Sequence, residues 1–127
     1  MKPACAGLLC LSILVLGGCA FGYHARGTMS DVAGELRGKG YPANTLGGGR
    51  FTLSDRSGAL HCDGLAYPPE MADNLGCEGE SGRGKVTCSD GREFAIRWRG
   101  LSCRSWAGQG EDARGNRLIF RVERLSR

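Results

Sequence analysis

Between Glu93 and Arg99 apolar and polar positions alternate: Phe94, Ile96 and Trp98 are large and apolar, while Glu93, Arg97 and Arg99 are charged. The pattern returns from Arg117 to Glu123, where Leu118, Phe120 and Val122 alternate with charged Arg117, Arg121 and Glu123 and with Ile119. A period of two describes strands with one buried face and one wet face, and no helix can bury such a pattern. Shorter runs fit the same reading at Arg50–Leu53, Ala59–Cys62 and Gly84–Cys88. Ser89-Asp90-Gly91 is a hairpin turn, and Pro68-Pro69 marks a loop, because neither proline can donate to a ladder.

Two of these segments look like copies of one unit. Gly82-x-Gly84 precedes the Gly91 turn, and Phe94, Ile96 and Trp98 follow that glycine by three, five and seven residues. Gly108-x-Gly110 precedes the Gly115 turn, and Leu118, Phe120 and Val122 follow at the same offsets. A weaker copy runs through Phe51, the Gly58 turn and Cys62. Tandem strand–turn–strand units predict an all-β fold: a small antiparallel meander or partly closed barrel. Alternation also assigns faces. The six large residues just named point inward, each contributing about 1.5–3 kcal/mol on burial. Arg97, Arg99, Arg117 and Arg121 point outward and cluster if the two units are neighbours. Arg104, Arg124 and Arg127 extend that patch.

The N-terminus reads as an export address. Lys2 is a positive n-region, and Leu8–Leu16 is an apolar run too short to span a bilayer. Leu16-Gly17-Gly18-Cys19 follows and resembles the lipobox of bacterial lipoproteins. The resemblance implies that residues 1–18 are a cleaved signal peptide. Cys19 then becomes a lipidated, palmitate-bearing first residue. Because Ala20 and not Asp follows the cysteine, the resemblance also implies an outer-membrane, periplasm-facing address. Residues 19–47 read as the lipidated cysteine and a flexible tether, since eight glycines from Gly22 to Gly49 break any periodicity. Ser30–Arg37 offers at best a short helical stretch. The β domain is placed at 48–127.

A domain of that size buries little apolar surface and gains from covalent staples. Four cysteines remain after Cys19: Cys62, Cys77, Cys88 and Cys103. In an exported chain such a set predicts two disulfides. A four-cysteine zinc site is the competitor, but the gaps of 15, 11 and 15 residues contain no Cys-x-x-Cys pair. Strand parity puts Cys62 and Cys88 on the core side, with Cys77 and Cys103 in turns. Among three possible connectivities this favours Cys62–Cys88 with Cys77–Cys103.

Other chemistry is sparse. The precursor carries +4, and removing Lys2 leaves +3, which is no nucleic-acid balance. Gly79–Val86 approaches a P-loop, but Val86 replaces the Ser or Thr that holds magnesium and a strand follows. His61, Cys62 and Asp63 are adjacent, and neighbours on a strand face opposite ways, which opposes a nucleophile–base array. Glu70, Asp73, Glu78, Glu80 and Glu93 contain no pair that spacing singles out. Neither cofactor nor metal is expected. The arginine face is the one candidate for binding an anionic partner, against the plainer reading of a solvated sheet face.

Leu60-His61-Cys62-Asp63-Gly64, Val86-Thr87-Cys88-Ser89-Asp90-Gly91-Arg92, Leu101-Ser102-Cys103-Arg104-Ser105 and Gly108-Gln109-Gly110-Glu111-Asp112 resemble a group of small Cys- and Gly-rich bacterial lipoproteins of uncharacterised function. The resemblance covers about half the chain and implies a periplasm-facing β domain. The Ser-Gly-x-x-Tyr signature of the lipoprotein lysozyme inhibitors is missing. The expectation is a membrane-anchored lipoprotein with a binding or structural role and no catalysis. Its partner would be an envelope protein, lipopolysaccharide or peptidoglycan. Inhibition of a cell-wall-acting enzyme such as lysozyme is the alternative, and a carboxylate hydrolase comes third.

Overall fold

The expected turns form, and each closes on a left-handed glycine. In the computed structural model, which describes residues 22–41, 49–70 and 78–124, Gly58, Gly91 and Gly115 have φ of 80°, 93° and 85°. Their amides donate to the carbonyls of Asp55, Cys88 and Asp112, three residues back. Only a residue without Cβ takes this conformation without strain.

Eight strands result: β1 (Tyr23–Met29), β2 (Leu36–Tyr41), β3 (Gly49–Ser54), β4 (His61–Ala66), β5 (Ser81–Cys88), β6 (Glu93–Ser102), β7 (Ser105–Glu111) and β8 (Arg117–Arg124). Each pairs antiparallel with its sequence neighbour, and β1 pairs with β8, so the sheet closes into a barrel. Closure leaves no strand edge for another chain to extend. At one end lie the turns that join β1 to β2, β3 to β4, β5 to β6 and β7 to β8. At the other end the chain enters at Tyr23, and the β6–β7 turn at Cys103-Arg104 joins Ser102 to Ser105.

The tether expected over 19–47 and the domain start at 48 are corrected here. Residues 23–29 and 36–41 are β1 and β2, and the barrel begins at Tyr23. No short helix forms between Ser30 and Arg37. Gly27, Gly38 and Gly40 are inward-facing positions of a regular alternation, while Gly34 turns the chain between the two strands. Ala25, Gly27 and Met29 share one face of β1, and Leu36 and Gly40 share the same face of β2. Without these strands β3 and β8 would be open edges. The barrel is therefore fully closed, beyond the partial closure the alternation alone implied.

The interior is filled by side chains, as an eight-stranded barrel of this size requires. Phe94, Ile96, Trp98, Leu118, Phe120 and Val122 are all buried, as expected from parity. Phe51 stacks on Phe120 with ring centroids 4.4 Å apart, and Trp106 meets both rings edge-on. Three of the large inward aromatics lie over a glycine directly across the ladder: Phe51 over Gly64, Trp98 over Gly82, Phe120 over Gly108. A Cβ on Gly82 would come 2.8 Å from Trp98 Nε1, and one on Gly108 2.5 Å from Phe120 Cζ. The first glycine of each Gly-x-Gly thus supplies floor space for an aromatic ring, and the second lies against Ile96. Trp98 Nε1–H donates to the carbonyls of Tyr67 and Arg83, so its buried polar atom is satisfied.

Cys62 and Cys88 face each other across β4 and β5 and form a disulfide. This pairing follows the strand parity and removes the four-cysteine zinc site. Cys103 is also disulfide-bonded. Cys77, its expected partner, lies outside the described residues, as do the signal segment, Cys19, Asp73 and Arg127.

Candidate anionic-partner wall

Arg97 and Arg99 stand two residues apart on β6, so both point outward about 7 Å from each other. Arg99 pairs across the ladder with Ala107, and Ala107 with Arg121. These three arginines therefore share one wall, with Arg99 and Arg121 about 10 Å apart across two ladder steps. Arg117 sits at the turn end of β8, away from them.

Their electrostatic states differ. Arg117 Nη2 is 3.2 Å from Glu111 Oε2, and Arg121 Nη2 is 3.0 Å from Glu123 Oε2. Glu123 also lies 3.5 Å from Arg26 on β1. Among the described residues, Arg97 and Arg99 have no carboxylate within ion-pair distance. Arg97 instead faces Arg83 across the ladder, and Arg83 is held by Glu70 at 3.2 Å. A depression of about 470 Å³ lies here, with Glu70, Ser81, Arg97, Arg99, Gln109 and Ile119 among its lining residues. Ile119 is 49% exposed. The wall thus offers two uncompensated guanidinium groups beside an apolar side chain. A guanidinium presents paired donors that match phosphate or carboxylate oxygens. Arg104 and Arg124 adjoin at the β6–β7 turn, where the Arg124 amide donates to the Arg104 carbonyl.

The opposite end carries a feature the sequence reading passed over. Arg92 follows the Gly91 turn and reaches inward between three turns. Its guanidinium lies 2.8 Å from Asp31, 2.9 Å from Asp90 and 4.0 Å from Asp112. Asp31 follows β1, and Asp112 opens the β7–β8 turn, so Arg92 ties the seam strands to β5–β6. The hydrogen bond from Arg92 holds the Asp31 carboxyl below its ordinary pKa. Asp112 is held low by the Asn116 side chain, then by the backbone amides of Asn116 and Arg114. Asp55 is held low chiefly by the Leu60 amide. A depressed folded pKa stabilises above the ordinary value of 3.8 and loses that contribution as pH falls through the folded pKa. These three carboxyls are therefore expected to contribute fully above about pH 5 and progressively less as pH falls below it. Arg92→Met should lower Tm by about 5 °C at pH 7 and by less at pH 2.5. Circular dichroism melts across that range check this, and an equal loss at both pH values would exclude the latch.

His61 and Asp63 share the outer face of β4 while Cys62 is buried, as the opposite-facing argument holds. The structure adds Ser54 from β3, whose Oγ is 2.8 Å from His61 Nδ1. His61 Nε2 lies 3.6 Å from Asp63 Oδ1. Spacing of two within β4 signalled the His–Asp pair, but the serine comes from cross-strand register alone. His61 and Asp63 are exposed and Ser54 is half-buried, and the depression beside Arg97 does not border them. The P-loop-like run enters strand β5, not a helix. Glu70 and Glu93 are engaged by Arg83 and Lys85.

No protein-family model matches this chain, and neither the curated proteins nor the solved structures show a significant match to it. Geometry and charge therefore carry the functional reading.

Proposed function

We propose that this protein is a lipid-anchored, non-enzymatic binding protein of the bacterial envelope. Its β6–β8 wall takes a phosphate or carboxylate group of an envelope component. The observation that carries the reading is the pair of arginines, Arg97 and Arg99. They lie on one face beside the depression, without a carboxylate partner among the described residues. Support for the anchor comes from Leu16-Gly17-Gly18-Cys19, with cleavage before Cys19 and acylation of its thiol. Several buried acyl methylenes, each worth about 0.8 kcal/mol, make such an anchor stable. The barrel itself is no membrane-spanning one. Its outward positions carry Arg, Lys and Glu and its interior is apolar, the reverse of a lipid-embedded barrel.

Charge reversal tests the wall. Arg97→Glu with Arg99→Glu is expected to weaken binding to lipopolysaccharide or peptidoglycan fragments at least tenfold. Arg37→Gln with Arg117→Gln should change it less than threefold, because both lie off the wall and are paired with Glu35 and Glu111. Binding of the wild type should also fall as salt rises. Equal effects of the two double variants would reject Arg97 and Arg99 as the site. Lysozyme inhibition that depends on the same pair would reassign the wall to an enzyme partner.

A further inference from the structure

Outward residues at the chain-entry end of β2–β5 are unlike the rest of the surface. Tyr41, Arg50, Leu65 and Lys85 are consecutive cross-strand neighbours on four adjacent strands. Arg50 Cζ sits 5.5 Å over the Tyr41 ring. Tyr67 follows one step nearer the end, where its amide donates to the Arg83 carbonyl. Tyr41, Leu65 and Tyr67 are 45%, 46% and 42% exposed, and they are three of the four exposed large hydrophobic residues described. They are interleaved with three basic residues: Arg50, which has no carboxylate partner among the described residues, and Lys85 and Arg83, which pair with Glu93 and Glu70.

This rim lies at the same end of the barrel as Tyr23, where β1 begins. Four peptide steps separate Cys19 from Tyr23, so the two α-carbons lie at most about 14 Å apart. The headgroup layer on one side of a bilayer is about 5–8 Å deep. A chain acylated at Cys19 therefore holds this end against the headgroups, with no room for a folded partner between. A 28-residue flexible tether, as the sequence suggested, would have allowed a stand-off near 100 Å. Tyrosine rings prefer such an interface because one end is apolar and the other wet. Each Lys or Arg beside an anionic surface strengthens binding about fivefold, within a Debye length of about 8 Å.

We propose that the rim formed by Tyr41, Leu65 and Tyr67 with Arg50, Arg83 and Lys85 docks on an anionic phospholipid surface. This orients the barrel with its chain-entry end on the membrane. The inference rests on the lipid-anchor reading and adds a second, weaker contact to it. It is tested with the mature chain from residue 19 carrying Cys19→Ser, which retains all eight strands and has no acyl chain. The chain is expected to float with phosphatidylglycerol/phosphatidylcholine vesicles and not with phosphatidylcholine alone. Arg50→Glu with Lys85→Glu, and separately Tyr41→Ser with Tyr67→Ser, should each weaken flotation at least tenfold. Circular dichroism must show both variants folded, and single substitutions serve in place of a pair that is not. Arg56→Glu with Arg114→Glu, on exposed turns at the opposite end of the barrel, should weaken flotation less than threefold. No flotation of the parent chain, or flotation that only Arg97→Glu with Arg99→Glu disturbs, would overturn the rim. Palmitate labelling of the native protein reports the anchor separately. Labelled protein without vesicle binding removes the rim and keeps the anchor, and rim-dependent flotation of an unlabelled protein does the reverse.

Discussion

Gly64→Val is expected to lose at least about 3 kcal/mol of stability and to lower Tm by about 15 °C. Gly64 lies opposite Phe51 across β3 and β4, and any Cβ placed on it would overlap the Phe51 ring. That ring has nowhere to go. Phe120 stacks on it at 4.4 Å and Trp106 closes its edge at 5.4 Å. Overpacking in an enclosed core forces off-rotamer side chains or backbone shifts, typically at about 1–3 kcal/mol and more where relaxation is blocked. Phe51→Leu combined with Gly64→Val should recover part of the loss, since leucine leaves room for the added methyls. A thermal double-mutant cycle checks both statements. A Gly64→Val barrel melting within 2 °C of the parent would show that Phe51 does not fill the site as described.

The second large effect belongs to the Cys62–Cys88 bridge. It closes a loop with a sequence separation of 26. Chain-entropy arguments assign such a loop about 3.5 kcal/mol through restriction of the unfolded state. Cys62→Ala with Cys88→Ala should therefore lower Tm by about 15 °C, with little change in the far-ultraviolet spectrum of the native state. Cys103 keeps its own bond in that variant, so the loss reports this bridge alone. The parent bridge should also resist reductant under native conditions, because Cys62 and Cys88 are 1% and 5% exposed. Reduction should follow opening of the barrel, not collision at its surface. Free-thiol titration against time in dithiothreitol, with and without urea, measures this. Reduction at equal rates in both conditions would contradict the burial.

Both results bear on function through rigidity. An arginine pair recognises a planar anion only if its backbone holds still, and β6 is held by ladders on both sides and by the Trp98 anchor beneath. The wall and the rim lie on the same scaffold, so a folding defect would remove both at once. For this reason each charge variant is read against a melting curve.

Much of the barrel was legible in residue order because alternation, turn glycines and cysteine parity are local properties. Phe94, Ile96 and Trp98 face inward since a strand offers only two sides, and Gly58, Gly91 and Gly115 turn the chain since left-handed φ excludes most side chains. Cys62 and Cys88 share the core side with their strands' apolar residues for the same reason. Residues 23–41 were misread because glycine at an inward position looks identical, in sequence, to glycine in a linker. What makes Gly40 structural is the Val122 methyl lying where its Cβ would be, 82 positions away.

Charge compensation was beyond residue order as well. Arg92 finds Asp31 61 positions away, and Arg26 finds Glu123 from the opposite end of the chain. The four outward arginines looked alike by parity, yet ladder register neutralised Arg117 with Glu111 and left Arg97 facing Arg83. The sequence by itself determined which face of each of these strands is apolar, because a period of two is written within a few residues. Only the tertiary structure decided that eight strands close, where Tyr23 sits relative to the rim and which cations stay uncompensated. Those outcomes depend on register between segments far apart in the chain, and register is set by packing across the whole barrel.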